Sequence, residues 1–103
     1  MFRALTFAAA CLLAGPALAE TADQKADRCA LQAGIVRDAI GHRTGNTGQD
    51  RAARRILKSD PVKGTKYESN VDVLVAWVYT LPDAHLTGET VTTFEQACLA
   101  FQQ

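Results

Sequence analysis

No run of about 20 apolar residues occurs in the 103-residue chain, which excludes a permanent transmembrane helix of ordinary length. No Cys-x-x-Cys is present, so the three cysteines do not form a thiol-redox motif. Histidine occurs only at His42 and His85, too few for an imidazole-based metal site. Neither sign of charge is in excess: 11 Lys+Arg face 11 Asp+Glu, which excludes a polybasic nucleic-acid tail. Internal repeats and low-complexity tracts are also missing. With 48% apolar residues and 21% charged, the chain is too hydrophobic for wholesale disorder, and its length allows one small domain.

What is present begins with a targeting signal. Arg3 is the lone charge of a short n-region, and Ala4 to Ala14 is an apolar run of 11 residues broken only by Thr6. Gly15 and Pro16 end the run, and Ala17-Leu18-Ala19 offers small residues at both positions that a signal peptidase reads. Residues 1–19 are therefore expected to be a cleaved signal peptide, and 20–103 a periplasmic domain that begins at Glu20. Two rivals are weaker. A lipoprotein box at Ala8-Ala9-Ala10-Cys11 lacks the usual leucine, and nothing favours an uncleaved anchor.

Cleavage removes Cys11 and leaves Cys29 and Cys98, an even pair in an oxidising compartment, so a disulfide is expected between them. An 84-residue domain buries a modest core, and closing a loop of almost 70 residues is worth roughly 4 kcal/mol on the chain-entropy account.

Periodicity predicts four helices. Over 22–41, Ala22, Ala26, Cys29, Ala33, Val36 and Ile40 recur at spacings of 4, 3, 4, 3 and 4, and Gly41 is expected to end the helix. A second helix over 49–58 turns Ala52, Ala53, Ile56 and Leu57 inward and stops at Asp60-Pro61. Val71 to Leu81 is ambiguous. Val71, Val73, Val75, Trp77 and Tyr79 would line one face of a strand. No other window alternates to pair with it, so a buried helix over about 68–80, apolar nearly all round and capped by Ser69 or Asn70, is the more consistent reading. The last helix, over 89–101, starts at Thr87 or Gly88 and repeats Val91, Phe94, Cys98 and Phe101 at 3, 4 and 3. The first and last seams each pass through a cysteine, as a disulfide between buried faces requires. The expected fold is all-α, a small four-helix domain stapled by one disulfide. Its expected core holds Trp77, Tyr79, Phe94, Phe101, Leu31, Val36, Ile40, Ile56 and Leu57.

The neutral total hides a gradient. Residues 37–66 carry eight Lys or Arg against three Asp, whereas residues 67–103 carry five acidic residues and no Lys or Arg. Arg51, Arg54, Arg55 and Lys58 recur at helical spacing and form a candidate partner-binding face for an anionic protein or envelope surface. The competing explanation is that the basic and acidic halves neutralise one another or are simply solvated. Nucleic acid is a poor partner because the basic segment has no interleaved aromatics.

Other constellations fail on spacing. Gly41, Gly45 and Gly48 lack the Gly-Lys-Ser/Thr of a phosphate loop and follow a helix rather than a strand. Asp83-x-His85 supplies two metal ligands where zinc needs three or four. Ser59 and Ser69 have no histidine close in sequence to serve as a base. The pairs Glu68/Asp72 and Glu89/Glu95 would need a substrate cleft between them. No catalytic residue, metal site or cofactor is expected, and the chain is read as a non-enzymatic binding or structural protein.

Arg43-Thr44-Gly45, Val78-Tyr79-Thr80-Leu81-Pro82 and Phe94-x3-Cys98 resemble the pattern of short exported single-disulfide helical proteins of Gram-negative bacteria that carry no named activity. That resemblance covers most of the mature chain. The size, signal peptide and single disulfide are also similar to the HdeA-type periplasmic acid-stress chaperones. Members of that family keep their cysteines closer together and place a Trp just before the first, where this chain has Arg28, so no residue is carried over. The alternative function it implies is an acid-activated holdase. Eleven carboxylates against ten Lys and Arg after residue 19 would make the chain strongly positive at low pH and loosen a small fold by self-repulsion.

Overall fold

The computed structural model describes residues 20–101; the expected signal peptide, residues 1–19, lies outside the described residues. Four α-helices follow in order: α1 (Ala22–Thr44), α2 (Gln49–Leu57), α3 (Glu68–Thr80) and α4 (Gly88–Ala100), with a 3-10 turn at Asp83–His85 between the last two. No strand occurs among the described residues, so the ambiguous Val71 to Leu81 stretch is helical.

Helix α1 starts on a reciprocal cap. The Thr21 hydroxyl accepts from the Gln24 amide at 3.0 Å, and the Gln24 side chain accepts from the Thr21 amide at 3.0 Å. Gly41 does not end it. The helix runs three residues further, because a glycine inside a helix costs only about 1 kcal/mol and this one meets no obstacle. The stop is Asn46, at φ +63°, the left-handed conformation that asparagine tolerates. Around it the Thr47 amide reaches back to the His42 carbonyl and the Asn46 amide to Arg43, satisfying carbonyls that the helix end leaves open.

Gly48 opens α2, which buries Ala52, Ala53 and Ile56. The stretch from Ser59 to Tyr67 is a series of turns, not a slack linker. Val62 within it is buried, and Gly64 takes φ +76° with its amide bound to the Glu68 carboxylate at 2.8 Å. Helix α3 is entered through Tyr67 with no side-chain cap, so the cap expected from Ser69 or Asn70 is not formed. Both residues lie inside the helix.

Helix α1 is the spine on which α2, α3 and α4 all pack, and α2 also packs against α3. Cys29, Ala33, Val36 and Ile40 are buried as the seam requires, Ala22 and Ala26 at its start are exposed because the first turns of α1 run past the core, and Ile35 and Ala39 join the buried set from the adjacent row. A helix that serves three neighbours must bury more than one stripe. The Cys29–Cys98 disulfide closes across 5.7 Å between Cα atoms and joins α1 to α4.

The aromatic core expected from the sequence is not found. Val71, Val75 and Val78 are the buried face of α3, spaced 4 and 3 apart, which turns Val73 and Trp77 outward. Val73 is 68% exposed, Trp77 39% and Phe101 62%, so none of them is core, and α3 is not buried all round. Tyr79, Phe94, Leu31 and Leu57 are half-buried and pack against a fully aliphatic interior. Alanine rows on α1 and α2 bring the helix backbones close and leave room between them for valine and isoleucine. A domain this small has little volume beyond that for a large ring.

Val91, 7% exposed, is the one residue of α4 in the buried core, so the covalent link to α1 reinforces a packing contact that buries little of this helix. Replacing both cysteines (Cys29→Ala with Cys98→Ala) should cost roughly 4 kcal/mol of stability in denaturant titration. Amide protection should fall first in α4 while α1 to α3 keep theirs in hydrogen exchange. Simultaneous loss in all four helices would contradict this division.

Candidate functional site

Arg51, Arg54, Arg55 and Lys58 are all exposed. At 3.6 residues per turn the three arginines on α2 and Lys58 at its C-cap fall within a sector of about 100°, opposite the face that carries Ala52, Ala53 and Ile56. The structure therefore brings the four cations together as one outward face. Neither of the two ion pairs among the described residues includes any of them. The competing expectation, that the basic and acidic halves neutralise each other by pairing, is met at one place only, Arg43 with Asp83 at 3.3 Å. The Asp83 side chain there remains 95% exposed.

With Gly41 expected to end the first helix, Arg43 would lie beyond it, and the sequence does not signal its role. Arg43 lies on the last turn of α1, and its Nη1 donates to the carbonyls of Val78, at 2.8 Å, and Leu81 at the end of α3. A guanidinium on these carbonyls satisfies acceptors that the helix terminus leaves open and complements the negative end of its dipole. The same group stands 6.0 Å from the centroid of the Tyr79 ring, and the Tyr79 hydroxyl donates to the Thr47 carbonyl. Burial pushes the Tyr79 phenol above its ordinary value, with Arg43 opposing the shift. Arg43 and Tyr79 thus lock the α1–α2 corner to the end of α3. An arginine near a helix end is visible in the sequence, but its target lies 35 residues away.

The remaining candidates are structural. Gly41 lies within α1, Gly45 caps its end and Gly48 opens α2. The Ser59 hydroxyl donates to the Ile56 carbonyl and that of Ser69 to Lys66. Asp83 and His85 sit exposed on the 3-10 turn. Among the described residues no group of three or more His, Cys, Asp or Glu is arranged to hold a metal ion, and no helix is long and apolar enough to cross a membrane.

A groove that the sequence did not signal opens between α3, the 3-10 turn and α4. Its volume is about 550 Å³, and Trp77 and Phe94 form its apolar wall with ring centroids 5.8 Å apart. At the far end of the molecule's charge gradient, Glu20 clamps Arg28 through two hydrogen bonds of 2.9 and 3.0 Å. Those bonds hold the Glu20 carboxyl below its ordinary value, and Arg28 also reaches the Cys98 sulfur at 3.4 Å.

Two measurements follow from these contacts. Arg43→Met should lower stability by about 2 kcal/mol, since it strips charge-assisted bonds from buried carbonyls, and Arg43→Lys should restore only part because lysine lacks the planar fork. Glu20, with its pKa lowered by folding, stabilises the fold above its ordinary value of 4.5, and that contribution is lost as pH falls through the folded value. Acid should therefore reduce amide protection at Gln24 and Lys25 in hydrogen exchange while Ile35 and Val36 keep theirs; uniform loss would refute a local clamp.

No protein family model, curated protein or solved structure matches this chain.

Proposed function

We propose that this chain is a non-enzymatic binding module of the bacterial periplasm whose basic α2 face contacts an anionic protein or envelope surface. One observation carries the reading: three arginines on a nine-residue helix and Lys58 at its C-cap share one exposed sector, outside both ion pairs among the described residues. Folding does not require them there. Ala52, Ala53 and Ile56 already anchor the helix, and four like charges on one face repel each other by a few tenths of a kcal/mol per neighbouring pair. A cost of that kind is offset by a partner of opposite sign.

The location rests on the sequence features of residues 1–19 together with the Cys29–Cys98 disulfide, a bond that persists in oxidising compartments. The resemblance to short exported helical proteins agrees with it.

The test is in-cell cross-linking followed by affinity capture of the tagged protein, with Arg51→Glu/Arg55→Glu as the matched variant. Each cation near an anionic surface contributes about 1 kcal/mol, so reversing two should weaken binding by more than tenfold. Circular dichroism and the melting temperature should be unchanged, because both side chains are exposed. Binding that survives the reversal overturns the proposal. A broad set of clients captured only after acid shock would identify an acid-activated holdase instead.

A further inference from the structure

The groove between α3 and α4 has an occupant of definable chemistry. Trp77 is the chain's single tryptophan, and it stands 39% exposed on the wall of this groove against the Phe94 ring. Ala97 extends the apolar wall along α4, while Thr90 and His85 supply polar atoms and Glu89 stands at the edge. A large indole left partly in water beside a second ring is the kind of anchor that dominates protein recognition sites. The volume, about 550 Å³, is enough to take a few side chains.

Charge decides what those side chains belong to. Every Lys, Arg, Asp and Glu from residue 67 onward is acidic, and one of them, Glu89, lines the groove, so the charge that α3, the 3-10 turn and α4 bring to it is of negative sign. Arg43 and Arg28, which reach α3 and α4 from α1, are both engaged: Arg43 by the α3 carbonyls and Asp83, Arg28 by Glu20 and the Cys98 sulfur. Two copies of the chain meeting groove to groove would bring Glu89 and its acidic neighbours against themselves, which disfavours a two-fold pairing. A lipid surface of anionic headgroups is disfavoured for the same reason. The complementary partner carries apolar anchors flanked by lysine or arginine.

We infer that the Trp77–Phe94 groove is a docking site for a cationic amphipathic peptide segment of a partner protein. The apolar side chains of the segment lie on the two rings, and its Lys or Arg side chains meet Glu89. This site is separate from the basic face of α2, and the two stand or fall independently.

Trp77 reports on its own site. The full mature protein is titrated with a synthetic amphipathic Leu/Lys helix and, in parallel, with the Leu/Glu helix of the same length and apolar pattern. The expected result is a saturable blue shift of tryptophan emission with the lysine peptide only, weakened as salt is raised. Glu89→Lys, an exposed change, should reduce affinity at least tenfold, and Phe94→Ala should do the same with helicity intact by circular dichroism. Arg51→Glu/Arg55→Glu should leave the titration unchanged, so failure of the α2 reading and failure of this one are distinguishable. An equal shift with both peptides would reveal unselective apolar adhesion and overturn the proposal. It is also overturned if neither peptide shifts the emission, or if Glu89→Lys has no effect. The same holds if spermidine alone saturates the shift, or if the shift tracks dimerisation of the protein in sedimentation.

Discussion

The bond between Cys29 and Cys98 pins α4 to α1, the two helices in most extensive contact, although α4 contributes one residue, Val91, to the buried core. Cys29 sits fully buried in the middle of the spine helix, among residues that the core would order in any case. Cys98 sits on a helix whose one buried residue is Val91. The link therefore transfers the rigidity of α1 to α4 and fixes where α4 lies. Arg28 tightens the same point from outside, since one guanidinium holds both the Glu20 carboxylate and the Cys98 sulfur. Phe94 precedes Cys98 by one helical turn, so the position of the groove wall is set by the disulfide as well.

A second constraint acts at the opposite end of α1. Asn46 stops the helix in a left-handed conformation, and Arg43, one turn before it, reaches the carbonyl end of α3. Tyr79 returns the contact by binding Thr47. The Arg43-Thr44-Gly45 and Val78-to-Pro82 segments are thus two halves of one corner, and Phe94-x3-Cys98 is the attachment of α4. All three segments are explained by how this fold is fastened. None of them needs a role in chemistry to account for its residues.

The helices and the disulfide were legible because both follow from local repetition. Apolar residues at 3 and 4 spacing mark a buried face wherever the helix lies, and two such faces each holding a cysteine imply their pairing. Boundaries and contacts between distant segments were not legible. Gly41 looked like a stop because glycine often is one, yet the backbone turns only where Asn46 supplies the left-handed angle. Trp77 and Phe101 were expected inside because large apolar residues usually are, yet the buried face of α3 is taken by Val71, Val75 and Val78, and Phe101 lies past the end of α4 as its C-cap. The basic face was visible in the sequence as four cations at helical spacing. The groove was not, because its wall is made by residues 17 positions apart on different helices.

The separation of charge along this chain is not a by-product of its stability. If the acidic and basic segments held the fold together, ion pairs would cross between them, and the contributing side chains would be withdrawn from water. One pair crosses, between Arg43 and an almost fully exposed Asp83, and such exposed pairs contribute about 0–1 kcal/mol. The interior that holds the helices is aliphatic throughout and contains no buried charged or polar residue among those described. Stability therefore comes from valine, isoleucine, alanine and one disulfide, and it would survive a different arrangement of surface charge. The arrangement that exists places four cations on one helix face and an unbroken acidic segment around an exposed tryptophan. Its sign pattern constrains what can approach each side.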